Sequence, residues 1–214
     1  MVPLREAIYE QRLTANQVRP VYETAKSAAQ SNLSGAALDA ALSRCEYFMG
    51  RALHYENRTR EATVHYEEGM RLAQRALEAA PSAEAWVIRA ENLSQRCAIG
   101  PWTFTVANGL DVERFARNAL TLNRRNAAAQ ILIAARWVYA PAPFNNINRG
   151  ITMMRAILEE GDVGKDDLFN VYFGIGWGYA QLGQRNHAEA RTWFLLAQGI
   201  YPTNKSVAEQ LQKL

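Results

Sequence analysis

Along most of the chain, apolar residues recur at three- and four-residue spacing with polar residues between them. "ARNALTL" and "AQRALEAAP" carry this i, i+3, i+4 pattern, which marks one buried stripe on an amphipathic helix. Pro81 and Pro202 follow such runs and stop them, while Pro3 and Pro20 stand where the helices "LREAIYEQRL" and "VYETAKSAAQ" can start. The richest apolar stretch, Ala127 to Phe144, is interrupted by Gln130, Arg136, Pro141 and Pro143, so it reads as a core helix and not as a membrane span. The pattern predicts an all-α protein.

The helices repeat. Tyr172, Ile175, Gly176, Tyr179 and Gly183, then Ala190, Phe194, Ala197 and Pro202, follow the spacing of a tetratricopeptide repeat: large, large, small, large on helix A, small, aromatic, small on helix B, and proline after it. Three weaker copies lie upstream. The first has Glu46, Met49, Gly50 and Leu53 with Gly69, Ala73, Ala76 and Pro81; the second has Trp86, Ala90 and Leu93 with Val112, Ala116 and Ala119, and Arg124 in place of proline. The third has Gln130, Ile133, Ala134 and Trp137 with a helix from about Ile147 to Glu160. The chain therefore resembles the tetratricopeptide-repeat family. That resemblance implies a right-handed superhelix of about four helical hairpins in a single domain over 1–214, with capping helices in 1–35, hairpins in 36–202 and a C-terminal cap in 203–214. Small residues at the crossings let neighbouring helices approach to about 8–10 Å.

"FGIGWGYAQLG", Phe173 to Gly183, follows the strand-like "LFNVY" and invites a different reading, a phosphate-cradling glycine loop. A dinucleotide fingerprint needs alternating strands and helices and an acidic residue about twenty positions on. No such alternation exists, and Gly176 falls where the repeat wants a small residue. Gly174 and Gly178 have no role in the repeat pattern; a backbone bared for a ligand or for a neighbouring helix is the expectation for them.

Between helices A and B, the copies carry "ENRTREATVHYEEG", "CAIGPWTFTVANGLD" and "APAPFNNINRG", read as enlarged loops. With "EYFMGRALHY" and "ERFARNALTLN", this organisation is similar to the four-repeat subgroup containing the T component of tripartite ATP-independent periplasmic transporters. Similar repeats occur in regulators of microtubule dynamics. The resemblance implies a non-enzymatic protein. The transporter member is a periplasmic lipoprotein that forms a ring-like oligomer, has an apolar pore or cleft, and docks the substrate-binding protein. Expected partners are therefore a protein, such as a periplasmic substrate-binding protein, a small apolar ligand, and further copies of the chain. No lipidated N-terminal cysteine is present in the sequence, so the residues leave the compartment open, and the resemblance points to the periplasm with a leader removed.

On a repeat of this kind, helix A lines the concave side with its positions 2, 5, 9, 12 and 13. These select Arg44, Tyr47, Arg51, His54 and Tyr55; Glu84, Val87, Glu91, Ser94 and Gln95; Ala128, Ile131, Ala135, Val138 and Tyr139; and Asn170, Phe173, Trp177, Ala180 and Gln181. The candidate groove site is Tyr47, Arg51, Tyr55, Glu91, Tyr139, Phe173 and Trp177, with Arg51 for a carboxylate and the rings for an apolar body. The competing reading is that Arg51 pairs with Glu91 and that Trp177 is core beneath the C-terminal cap. A second candidate is the loop edge, with Trp102, Phe104, Phe144 and Asn145. Aromatics on ordered loops of a rigid scaffold serve recognition, or fold back over helix ends.

Composition changes this picture little. Apolar residues make up 49% and charged residues 21%, with a formal net charge of +3 over 214 residues, and Arg124–Arg125 has no basic stripe beside it, so nucleic acid is not an expected partner. His54, His65 and His187 lie on different helices without metal-ligand spacing, and no cofactor, metal or catalytic constellation is expected. Glu159, Glu160 and Asp162 read as an acidic helix end, and Asp166 and Asp167 as a helix start. Cys45 and Cys97 fall about 18 Å apart along adjacent helices by their register, beyond disulfide reach, so both should be free thiols. The functional expectation is a scaffold for a protein partner, with a carrier of a small apolar or amphipathic ligand as the alternative.

Overall fold

A computed structural model describes residues 1–159 and 163–214. The described residues contain eleven α-helices and no strand: α1 (Val2–Glu10), α2 (Ala15–Asn32), α3 (Gly35–Tyr55), α4 (Thr59–Ala79), α5 (Ala83–Ile99), α6 (Trp102–Leu122), α7 (Ala127–Tyr139), α8 (Ile147–Glu159), α9 (Lys165–Gln181), α10 (His187–Ile200) and α11 (Lys205–Lys213). They divide into two compact units, Met1–Arg124 and Arg125–Leu214. Within each unit the arrangement is tetratricopeptide-repeat-like. Helices pair as hairpins α3/α4 and α5/α6 in the first unit and α7/α8 and α9/α10 in the second, and the first helix of the later hairpin packs on both helices of the earlier one. In the first unit α1 and α2 cap the stack by packing on α3, and in the second α11 packs on α10. The acidic helix end expected at Glu160 and Asp162 lies outside the described residues.

Helix starts follow local chemistry. Thr14 and Gln17 form a reciprocal capping box, so α2 begins at Ala15 and not at Pro20. Pro20 is the sixth residue of the helix, past the first N–H groups that lack intrahelical partners, so it removes one bond of the helical ladder. Ser82, Asn126 and Asn204 accept from the backbone N–H groups of Ala85, Ala129 and Val207 and cap α5, α7 and α11.

Two of the three expected enlarged loops are helix. α4 starts at Thr59 after a three-residue turn, and α6 starts at Trp102 after Gly100–Pro101. Both helices run 21 residues, several turns ahead of the small residues that mark their crossings. Repeat spacing locates a crossing and carries no information on how far a helix extends before it. The third connection, residues 140–146, is a true loop.

Crossings form at small residues. A Cβ on Gly50 would stand 2.6 Å from the Tyr66 ring, and one on Gly69 would stand 2.2 Å from Asn92 Oδ1. Along α9, Gly176 faces Phe194 of α10, while Gly174 and Gly178 face Met154 and Ile151 of α8. The glycines of "FGIGWG" thus bare backbone on two sides for two neighbouring helices. Ile131, Ala134, Val138, Ile151, Met154, Ile157, Val171 and Ile175 fill the space between α7, α8 and α9.

Candidate functional site

Five candidate residues of the first unit lie along α3, with Glu84 and Glu91 on neighbouring α5. Arg44 engages both of these carboxylates, Glu84 at 2.5 Å and Glu91 through its other terminal nitrogen. Burial works against the Arg44 charge, and Glu91 and Glu84 outweigh it. The expected Arg51–Glu91 pair is therefore not formed, because Arg44, two helical turns earlier on the same face, takes Glu91.

Arg51 has tyrosines around it instead. Its guanidinium carbon lies 5.0 Å from the Tyr9 ring centre, 5.3 Å from Tyr55 and 5.7 Å from Tyr47, within the range of cation–π attraction. Its Nη2 donates to the Tyr55 hydroxyl. Among the described residues no carboxylate lies within ion-pair distance of Arg51, which is half-buried. Tyr66 of α4 is fully buried against Gly50, and its hydroxyl has no hydrogen-bond partner. That oxygen interacts electrostatically with Arg51 and then with Tyr55, and burial pushes its pKa up, so it stays protonated. Burial does the same to Tyr47. Burial and then Arg51 lower the pKa of His54, which also bonds Gln95, so His54 is neutral at pH 7. Tyr9 and Tyr66 come from α1 and α4, outside the helix-A positions of the repeat, so repeat spacing carries no signal for either.

Beside this face lies a buried polar cluster the sequence did not announce. Glu46, 5% exposed, accepts from the Tyr22 hydroxyl at 2.7 Å, meets His65 Nδ1 at 2.6 Å and lies 3.4 Å from Lys26 Nζ. Burial pushes its pKa up, and the hydrogen bonds to His65 and Tyr22 prevail, holding the carboxyl below the ordinary value of 4.5. Each of its partners is committed to joining α2, α3 and α4. His187 opens α10. Cys45 and Cys97 are free thiols, and burial raises Cys45 to about 11.

The second unit brings its candidates together as aromatic surface. Trp177 lies 5.9 Å from Tyr139 and stacks at 6.4 Å on Phe173, which in turn stacks on Phe169 at 6.0 Å. Phe169, Phe173 and Trp177 recur every four residues along α9, one face of the helix. Tyr139 is 46% exposed and Phe173 and Trp177 are half-buried, so Trp177 keeps part of its surface open.

The edge candidates separate. Trp102 is the first residue of α6 and 54% exposed, while Phe104 sits under the Arg96 guanidinium at 4.3 Å. Both therefore lie on helix, not loop. Trp102, Val106 and Leu110 form a stripe at four-residue spacing that is more than half exposed. Phe144, in the 140–146 loop, is 52% exposed and its N–H bonds the Pro141 carbonyl at 2.9 Å. Asn145 is half-buried beside it.

No family model and no curated protein matches the chain. Among solved structures the chain is similar to YrrB, described as a TPR protein with an unusual peptide-binding site. The identity is 16%, the match covers 94% of this chain and 89% of that one, and the TM-score is 0.43.

Proposed function

We propose that this chain is a non-enzymatic scaffold that binds a protein partner through the faces of its helical hairpins. The observation that carries the reading is the aromatic row of the second unit. Tyr139, Phe173 and Trp177 present contiguous ring surface above a core that is already closed by Val138, Val171 and Ile175. Rigid, partly exposed aromatics at the centre of a face are the residues that dominate binding energy at protein interfaces. Their neighbours on α7 and α9 need no further cover to fold.

The full chain, used as bait, captures its partner, and Tyr139→Ala reduces the affinity at least tenfold. Because Tyr139 is nearly half exposed, its truncation leaves the melting temperature within about 2 °C. Unchanged affinity in a well-folded Tyr139→Ala protein removes this face from the interface. The subgroup resemblance extends the reading to a transport accessory that docks a substrate-binding protein; titration of such a protein onto the full chain with no saturable binding ends that extension. A carrier role is the second reading, favoured by the same ring row, which suits an apolar ligand body. Native mass spectrometry separates the two, since a carrier retains a ligand mass that Tyr139→Ala loses.

A further inference from the structure

We propose that Arg51, with the tyrosines around it, is a binding site for a single carboxylate carried on an apolar body. A half-buried guanidinium is ordinarily matched by an acid of its own fold, as Arg44 is by Glu84 and Glu91. Arg51 has ring faces on several sides and no acid, so its charge is desolvated without being neutralised. Ring faces attract the cation more weakly than an acid would, which leaves Arg51 able to take a carboxylate from outside the fold.

A second observation points to the same ligand. The Tyr66 hydroxyl is buried, protonated and unpaired, and a buried donor without an acceptor is destabilising. It lies close enough to Arg51 and Tyr55 to feel both. The Tyr55 hydroxyl is the oxygen that Arg51 now contacts, and Tyr55 is an exposed residue, 38%, on the last turn of α3. A carboxylate oxygen arriving at Arg51 displaces that hydroxyl. The other carboxylate oxygen then accepts from Tyr66 as the Tyr55 ring swings aside. Guanidinium and carboxylate match as two parallel hydrogen bonds.

Charge selects a monoanion. Arg44 with Glu84 and Glu91 sums to one negative charge and His54 is uncharged at pH 7, so Arg51 is the one cation there without a contacting acid, and it can match no more than a single negative charge. A phosphate dianion would bring one negative charge too many into a partly desolvated place. The buried rings of Tyr9 and Tyr47 hold the cation from within, and the exposed ring of Tyr55, stacked on His54, is the apolar surface beside it for whatever carries the acid. A peptide C-terminus and a free carboxylic acid both present this chemistry.

This inference deepens the scaffold reading, and its test needs no partner protein. The full chain, labelled with 15N-arginine, is titrated with N-acetylphenylalanine as a peptide-terminus probe, with octanoate as a free-acid probe, with N-acetylphenylalanine amide and with inorganic phosphate. The Arg51 Nε–Hε signal, assigned by its absence in Arg51→Lys, shifts saturably with at least one carboxylate, and at least tenfold more weakly with the amide and with phosphate. Which carboxylate binds more tightly identifies the source. Arg51→Lys, which lacks the fork, loses about tenfold in affinity read by calorimetry. Tyr66→Phe loses a hydroxyl that bonds nothing in the free protein, so its melting temperature is unchanged or higher while the carboxylate binds about three- to tenfold more weakly. No saturable shift with either carboxylate, equal binding of the amide or phosphate, or full affinity in folded Tyr66→Phe overturns the proposal. Partner capture sensitive to Tyr139→Ala would survive any of those results, so the two readings fail separately.

Discussion

The two units build hairpins of the same kind from different chemistry. In the first, glycines at the crossings receive polar-tipped side chains: Gly50 receives Tyr66 and Gly69 receives Asn92. In the second, Gly174 and Gly178 receive Met154 and Ile151. Of the six buried polar or charged residues among those described, Gln11, Asp39, Ser43, Glu46 and Asn92 belong to the first unit, and the sixth, Asn204, caps a helix. The contrast continues onto the presented faces. One carries a cation among tyrosines and the other a row of rings. A repeat fold specifies where small residues must lie, and the chemistry between them is free to diverge, so the first unit packs polar side chains into its interior and the second packs apolar shape.

The sharpest way to break that comparison is to remove the polar centre of the first unit. Glu46→Ala leaves Tyr22 and His65 without their shared acceptor and should destabilise the first unit by about 3 kcal/mol, read by urea unfolding. The same residue predicts a pH dependence. Its folded pKa lies below its unfolded value, so its contribution is complete above about pH 4.5 and is lost as pH falls through the lower, folded pKa. Glu46→Gln should flatten the acid limb of the stability profile. An acid limb unaltered by this change would show that the buried cluster does not support the first unit.

Shape is tested in the second unit by Gly178→Val. The new Cβ lies 2.9 Å from Ile151 Cγ1 and 3.0 Å from its Cδ1, and the branched methyls add further volume. Overpacking of this kind costs about 2 kcal/mol, reduced by a few tenths because valine is a better helix former than glycine. Chemical denaturation should show the loss. Stability equal to the parent would mean that α8 and α9 are not held at glycine distance.

How much of this could be read from sequence follows from what spacing encodes. Gly50, Gly69 and Gly176 mark helix crossings because contact distance requires small side chains there, and the hairpins they predict are the hairpins that form. The extents of α4 and α6 were misread as loops, since a helix can continue past its last crossing without any repeat residue to signal it. Arg44 and Arg51 lie on one face seven residues apart, and which of them meets Glu91 depends on the offset between α3 and α5, which residue spacing leaves open. Tyr9 and Tyr66 reach Arg51 from helices that the concave-face positions do not sample. Gly174 and Gly178 look superfluous in a single helix and become necessary only with α8 packed against them, on the side away from the α10 crossing at Gly176.

The smallest expected effect has the opposite sign and sharpens the same contrast. Gly109 lies inside α6 with helical backbone, and a Cβ built there meets nothing within 4 Å. It stands next to Leu110 at the end of the exposed stripe Trp102, Val106 and Leu110. A glycine in such a place serves no crossing, so its backbone freedom in the unfolded chain is a cost without a return. Gly109→Ala should therefore stabilise by about 1 kcal/mol, seen as a rise of roughly 3–5 °C in the unfolding transition of the first unit. A fall instead would mean that the methyl group meets a surface in solution, and the first half of α6 would then be covered by another molecule. Glycine at Gly178 is kept for a neighbour that is present in the fold, and glycine at Gly109 has none there, so the sign of the alanine or valine effect reports directly on which helix faces are occupied.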